Sequence, residues 1–258
     1  MRTEPRVDFS PQETERYSRN ALLAQVGWDG QARWGAGRVL VVGAGGIGSA
    51  ALMYLAAAGV GRLGLVDGDA VELSNLQRQI LHQSADLGRR KVESAAESLA
   101  ALNPLCRVET FDLRLNPGNV GEVVQGFEVV LDASDNFPTR FLLAESCWRY
   151  HIPLVSAAAT GWHGQLLVAQ PGAENPCYRC LVPEMPPAAA VPASTQVGIL
   201  GAVAGAMGCL QAAEALKLLL GLESDLTRRL LAYDGLQGRF QSLARVKRPD
   251  CPLCGSLK

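Results

Sequence analysis

Over the first half of the chain, short apolar runs alternate with segments whose apolar side chains recur at helical spacing. The runs fall at 38–42 (RVLVV), 63–67 (LGLVD) and 128–132 (EVVLD), and the helical segments at about 49–58 and 89–102. Strands that show no polar face are covered on both sides, so this rhythm predicts a Rossmann-like, mostly parallel α/β sheet with helices on both faces. A second strand pair is expected at 153–159 (PLVSAAA) and 164–170 (GQLLVAQ). Residues 183–193 (PEMPPAAAVPA) have no periodicity and read as an exposed, mobile crossing loop over about 183–198. A mostly core helix should follow at 205–221, with Lys217 in its closing turns and Gly221 at its C-terminal cap.

A chain of 258 residues is near the upper limit for one globular domain. It is expected to divide into a helical arm at 1–35, a Rossmann-like half at 36–150 and a second half at 151–258 that carries a C-terminal sheet extension. Apolar residues make up 48%, and the net charge of −1 gives no general attraction to nucleic acid or an anionic membrane. The N-terminus mixes both charge signs without an apolar core and is no secretory signal. The apolar windows at 50–60 and 199–220 are broken by glycine, and the second holds Glu214 and Lys217, which argues against a membrane span. A cytoplasmic location is expected. Four of the seven cysteines form two Cys-x-x-Cys pairs, a pattern that in a cytosolic chain favours metal over disulfide.

The first run ends in Gly43, Gly45 and Gly48, spaced Gly-x-Gly-x-x-Gly. Glycines there permit a tight turn and close approach of phosphate to backbone, and the next helix presents its N-terminus. Asp67 then stands at the end of the second strand, where an acid bonds ribose. A dinucleotide and a triphosphate are still both possible, as is a turn that only packs helix on strand. The next residues favour the triphosphate. Asp67, Asp69, Asn75, Arg78 and Gln79 cluster in a loop leading to a short helix, and Lys91 follows. A dehydrogenase needs one acid for the ribose and an apolar slot for nicotinamide, which leaves these cations unexplained, and no tyrosine–lysine hydride-transfer pair is identifiable. Asp132 and Asp135 close the third strand at the carboxyl edge of the sheet, where ligands of open α/β folds bind. Asp135 can coordinate magnesium while Arg78 and Lys91 hold the triphosphate for in-line attack. Taken singly, Asp132 could merely cap a turn, and Arg78 or Lys91 could be solvated surface charges.

The motifs RYSRN (16–20), GAGGIGS (43–49), AAAGVGRLGLVDGDAVELSNLQRQ (56–79), Lys91, ALNP (101–104), LDASDNFPTR (131–140), PCYRCL (176–181) and CPLCG (251–255) together closely resemble the MoeB/ThiF/HesA family of adenylyltransferases, bacterial relatives of ubiquitin-activating enzymes. The resemblance runs from about residue 13 to 255. It implies ATP-dependent adenylation of the C-terminal Gly-Gly carboxylate of a small ubiquitin-like sulfur-carrier protein, with release of pyrophosphate. It assigns Gly43, Gly45, Gly46 and Gly48 to the nucleotide, Asp67 to the ribose, and Asn75, Arg78 and Lys91 to the phosphates. Asp135 takes the magnesium and catalytic role, and Asp69, Gln79 and Asn136 complete the nucleotide set. Arg19 resembles the arginine that reaches into the partner subunit's site, which implies a homodimer. The 151–258 half becomes the carrier-binding half, docking on its sheet face and the 183–198 loop.

Cys177, Cys180, Cys251 and Cys254 offer four thiolates, as a closed zinc site requires. Their spacing alone leaves a redox pair or buried free thiols open. The resemblance implies a structural zinc that pins the tail. Where the family usually carries a cysteine after the crossing loop, this chain has Ser194, and Ala202 replaces a frequent proline. A serine without a base is a poor nucleophile at neutral pH, and His82, His151 and His163 read as surface or core residues. The expected chemistry therefore stops at the acyl-adenylate. Sulfur would come from a separate sulfurtransferase or cysteine desulfurase, since no rhodanese-like extension follows Lys258. Molybdopterin-type activation is the leading pathway and the thiamin thiazole branch the alternative. An NAD-dependent oxidoreductase and a non-catalytic scaffold member are the rival classes, and the completeness of the phosphate site disfavours the second.

Overall fold

In the computed structural model, residues 8–187 and 197–255 are described. The 183–198 loop is thus covered only at its two ends, and Ser194 lies outside the described residues. Eight strands form one sheet in the order β3-β2-β1-β4-β5-β6-β7-β8. β1 (Arg38–Val42), β2 (Arg62–Val66), β3 (Arg107–Phe111), β4 (Val129–Asp132) and β5 (Leu154–Thr160) run parallel, and β6 (His163–Ala169), β7 (Arg229–Asp234) and β8 (Arg239–Ala244) continue the sheet antiparallel.

Alternate residues of each strand feed two cores, as the period of two demands. Val39 and Val41 join one layer with α3 (Gly46–Ala58), α4 (Lys91–Leu102) and α8 (Gly201–Leu219), while Leu40 and Val42 join the other with α5 (Val120–Gln125), α6 (Phe137–Arg149) and α7 (Tyr178–Leu181). By length and composition α8 could cross a membrane. Here its Ala204, Met207 and Ala215 are buried in the first core. It packs against α3 closely enough that a Cβ at Gly208 would sit 2.1 Å from the Ile47 carbonyl oxygen.

The N-terminal arm comprises α1 (Pro11–Ala21), opened by a Ser10–Glu13 capping box, and α2 (Gly27–Ala36). Buried Asn103 ties this arm down by donating to the Tyr17 hydroxyl (2.9 Å) and the Ala56 carbonyl (2.6 Å). Two helix starts and one strand differ from the sequence reading. α3 starts at Gly46, three residues early, because the glycine turn itself supplies its first turn, and α8 starts at Gly201. β3 was not anticipated: RVETF alternates charge with apolar groups and stays partly exposed at the sheet edge, so it carries none of the continuous apolar signal of a central strand.

Candidate active site

At the carboxyl ends of β1, β2 and β4 lies a cleft of about 1080 Å³ that extends to the tip of the β5–β6 hairpin. The glycine turn forms its floor. Gly43 has φ +103°, and a Cβ at Gly48 would lie 1.8 Å from the Gly43 carbonyl oxygen. Gly45, in contrast, is open on its cleft side, its nearest atom being Gln79 Nε2 at 3.9 Å from such a Cβ. Asp67 sets the turn: its Oδ2 accepts the Ala44 N–H (2.8 Å) and its Oδ1 the Asp69 N–H (2.9 Å).

Cationic and polar groups of the following loop and helix line the same cleft. Lys91, 6% exposed, projects its Nζ to 3.3 Å from Asp69 Oδ2, and Arg114 reaches Asp69 Oδ1 at 2.9 Å. Burial raises the Asp69 carboxyl, but Lys91 and Arg114 outweigh it and hold the group below the usual carboxylate range. Arg78 lines the cleft and donates to the Ser74 carbonyl (3.0 Å). Gln79 also lines it, is buried, and its Oε1 finds no partner among the described residues. Asn75 is buried behind the wall, where its Oδ1 accepts the Glu72 N–H and shapes the turn that aims Arg78.

Asp135 is exposed at the opposite lip, beside Asn136, whose side chain caps α6 by accepting the Thr139 N–H (3.0 Å). Beneath it, fully buried Asp132 accepts from Ser134 N (3.1 Å) and Oγ (2.5 Å) through Oδ1 and from Ser156 Oγ (2.7 Å) through Oδ2. Arg140 completes the buttress by donating to the Ser134 carbonyl (2.5 Å). Asp132 is therefore a turn cap, the reading open at the sequence level, and it steadies the turn that presents Asp135. Arg19 is exposed on α1 and is not on the wall of its own cleft. His163 lines the cleft mouth, His151 is exposed after α6, and His82 is buried.

The sequence reading missed Arg114, Ser134 and Arg140. The last had a signal, five residues beyond Asp135 on the helix that leaves the turn. Arg114 had none, since only the pairing of β3 with β2 brings it to Asp69.

At the far end of the sheet the four paired cysteines converge, their sulfurs all within 4.8 Å of one another. The Cys177–Cys251 and Cys180–Cys254 sulfurs are 3.4 and 3.3 Å apart, and Cys177–Cys180 3.9 Å. Zinc–sulfur bonds of 2.3 Å in a tetrahedron require S···S separations of about 3.8 Å, so the donor set fits zinc. Burial drives the Cys177 thiol up and Cys254 to about 11, while at Cys251 burial is outweighed by hydrogen bonds from the Cys254 and Leu253 backbone, which bring it down to about 7. Four thiolates can coexist here only with a cation among them. Arg245 binds the site to the sheet, donating to the carbonyls of Val168 (3.0 Å), Leu226 (3.2 Å), Pro176 and Cys177 (both 3.1 Å).

A glycine turn, an acid at the second strand end, a buried lysine and an exposed aspartate at the carboxyl edge define an α/β nucleotide-binding protein equipped for a polyphosphate. A sequence model of the ThiF family matches residues 17–253, and the chain belongs to that family. It is 49% identical over 241 residues to the SAMP-activating enzyme E1 of Haloferax volcanii, covering 93% of this chain and 88% of the relative. It is 45% identical over 251 residues to the sulfur carrier protein adenylyltransferase of Thermus thermophilus, covering 96% and 93%. The crystal structure of E. coli MccB with MccA-N7isoASN shares the fold, with a TM-score of 0.82 at 22% identity over 96% of this chain and 76% of that one. The protein is accordingly an adenylyltransferase, and the oxidoreductase reading is set aside.

Proposed function

We propose that this chain adenylates the C-terminal Gly-Gly carboxylate of a small ubiquitin-like sulfur-carrier protein, using ATP and magnesium in the cytoplasm and working as a homodimer. One observation supports it above the others: Lys91, Arg78 and Asp135 surround the glycine turn at one end of a cleft whose other end opens at the β5–β6 hairpin. A nucleotide seated on the turn leaves the remaining length of the cleft for an extended tail. Ala158 and Ala159 line that stretch, and such small side chains suit a Gly-Gly segment.

Arg78 and Lys91 would take the β- and γ-phosphates, drawing charge from the α-phosphorus as the carboxylate oxygen attacks in line and pyrophosphate departs. Asp135 would hold magnesium, which supplies neutralisation of the charge that builds on the leaving group. Arg19 from a second copy would offset the repulsion between carboxylate and triphosphate. Exchange of labelled pyrophosphate into ATP, run with each small Gly-Gly carrier of the host, tests the reading. Exchange with one of them is expected, and exchange with none would defeat it.

For the pathway, Ser194 supports a reaction that ends at the acyl-adenylate, with sulfur delivered by a separate sulfurtransferase or cysteine desulfurase. Molybdopterin-type activation leads, and the thiamin thiazole carrier is second. A carrier–enzyme conjugate that survives denaturation and disappears in Ser194→Ala would favour a covalent relay instead.

A further inference from the structure

His82 is 5% exposed and belongs neither to the cleft wall nor to a surface. Its ring bridges two separate pieces of the nucleotide site. Nε2 lies 3.1 Å from the Ala44 carbonyl oxygen, inside the glycine turn, and Nδ1 lies 2.8 Å from Ser94 Oγ. Ser94 is on α4, one turn beyond Lys91. A carbonyl can only accept, so Nε2 carries the proton, and Nδ1 faces the Ser94 hydroxyl. Burial lowers the basicity of the ring, and the Lys91 charge adds to this against Asp86 and Asp67, which keeps the imidazole neutral.

Ala44 is consequently held from both sides, its N–H by Asp67 (2.8 Å) and its carbonyl by His82. In a planar trans peptide the carbonyl of one residue and the N–H of the next point in opposite directions. Fixing the Ala44 carbonyl on His82 therefore turns the Gly45 N–H away from the core, toward the side on which Gly45 lines the cleft. No acceptor among the described residues takes up that N–H.

We infer that His82 is a positioning residue for phosphate binding: it presets the Gly45 N–H as a donor and keys the glycine turn to the helix that carries Lys91. It touches no nucleotide itself. This inference rests on the ATP reading above and extends it to a group that reading leaves unused.

The test compares nucleotide affinities of the full chain by calorimetry with ATP and with adenosine, which lacks phosphate. His82→Phe keeps a ring of similar size and removes both hydrogen bonds, whereas His82→Gln retains an amide donor for the Ala44 carbonyl. Loss of one preset donor to a charged group should weaken ATP binding by about tenfold in His82→Phe. Adenosine binding should stay within about twofold, because Asp67 keeps its own bond to Ala44. His82→Gln should recover most of the ATP affinity, and thermal melting certifies the fold of each variant. Equal loss for ATP and adenosine, or unchanged ATP affinity in a folded His82→Phe, would overturn the inference. Absence of ATP binding in the wild-type protein would instead overturn the reading on which it rests.

Discussion

Lys91 is buried against Asp69, and that pairing is the contact a bound triphosphate would have to compete with. Replacing Lys91 with alanine removes a buried cation from the phosphate side. Pyrophosphate exchange should fall by about a hundredfold or more with modest loss of stability, and Asp135→Asn should match it. The Asp69 pairing also carries a pH signature. Its carboxyl is depressed in the fold, so it adds stability above the ordinary carboxylate range, and that stability is lost as pH falls through the depressed value. Melting of Asp69→Asn should therefore lie below wild type at pH 7, and the gap should close as pH falls through the depressed value. Asp67 and Asp135 were legible because an acid at a parallel strand end is placed by topology alone. Asp132 was legible as a turn cap, but its bond to Ser156 and that of His82 to Ala44 were not, for these partners lie 24 and 38 residues away, and such contacts are visible only once the sheet exists.

Among the elements, the apolar runs announced β1, β2, β4, β5 and β6, since strands covered on both faces leave no polar alternation to confuse them. β3 escaped because an edge strand is half solvated. Helix starts were late where glycine opens the helix, as in α3 and α8, because glycine reads as a break when its closeness to a neighbour cannot be seen. That closeness differs sharply along α8. A methyl at Gly208 meets the Ile47 carbonyl oxygen at 2.1 Å, while one at Gly205 meets nothing within 4 Å. Gly208→Ala should push α3 from α8 and lower the melting temperature strongly. Gly205→Ala should raise it, by about 0.5–1 kcal/mol of helix propensity. Equal effects in thermal melts would contradict this account of the packing.

For the whole molecule, the cysteine cluster and Arg245 join the C-terminal tail to the sheet. Trp148 packs against Cys177, Cys251 and Cys254, so its emission reports on that corner. Chelation is expected to release zinc, expose four titratable thiols and shift tryptophan fluorescence together, and four unreactive thiols with no metal in the protein would sink the assignment. Assembly is testable by complementation. Arg19→Ala and Asp135→Asn homodimers should each be inactive, but mixed dimers acting in trans hold one intact site, which gives about a quarter of wild-type activity after random exchange. No recovery would defeat the role of Arg19 in a second copy's cleft.

The packing of α8 also orders events in time. Its first turn rests on the nucleotide site: a Cβ at Gly201 would meet the Gln77 carbonyl at 2.6 Å, and one at Gly46 would meet Ala204 at 3.0 Å. A chain emerging from the ribosome thus makes the glycine turn early, yet has no completed floor for ATP until α8 arrives late in synthesis. Nascent chains stalled before residue 201 should fail to bind ATP, and those stalled with α8 clear of the exit tunnel should bind it.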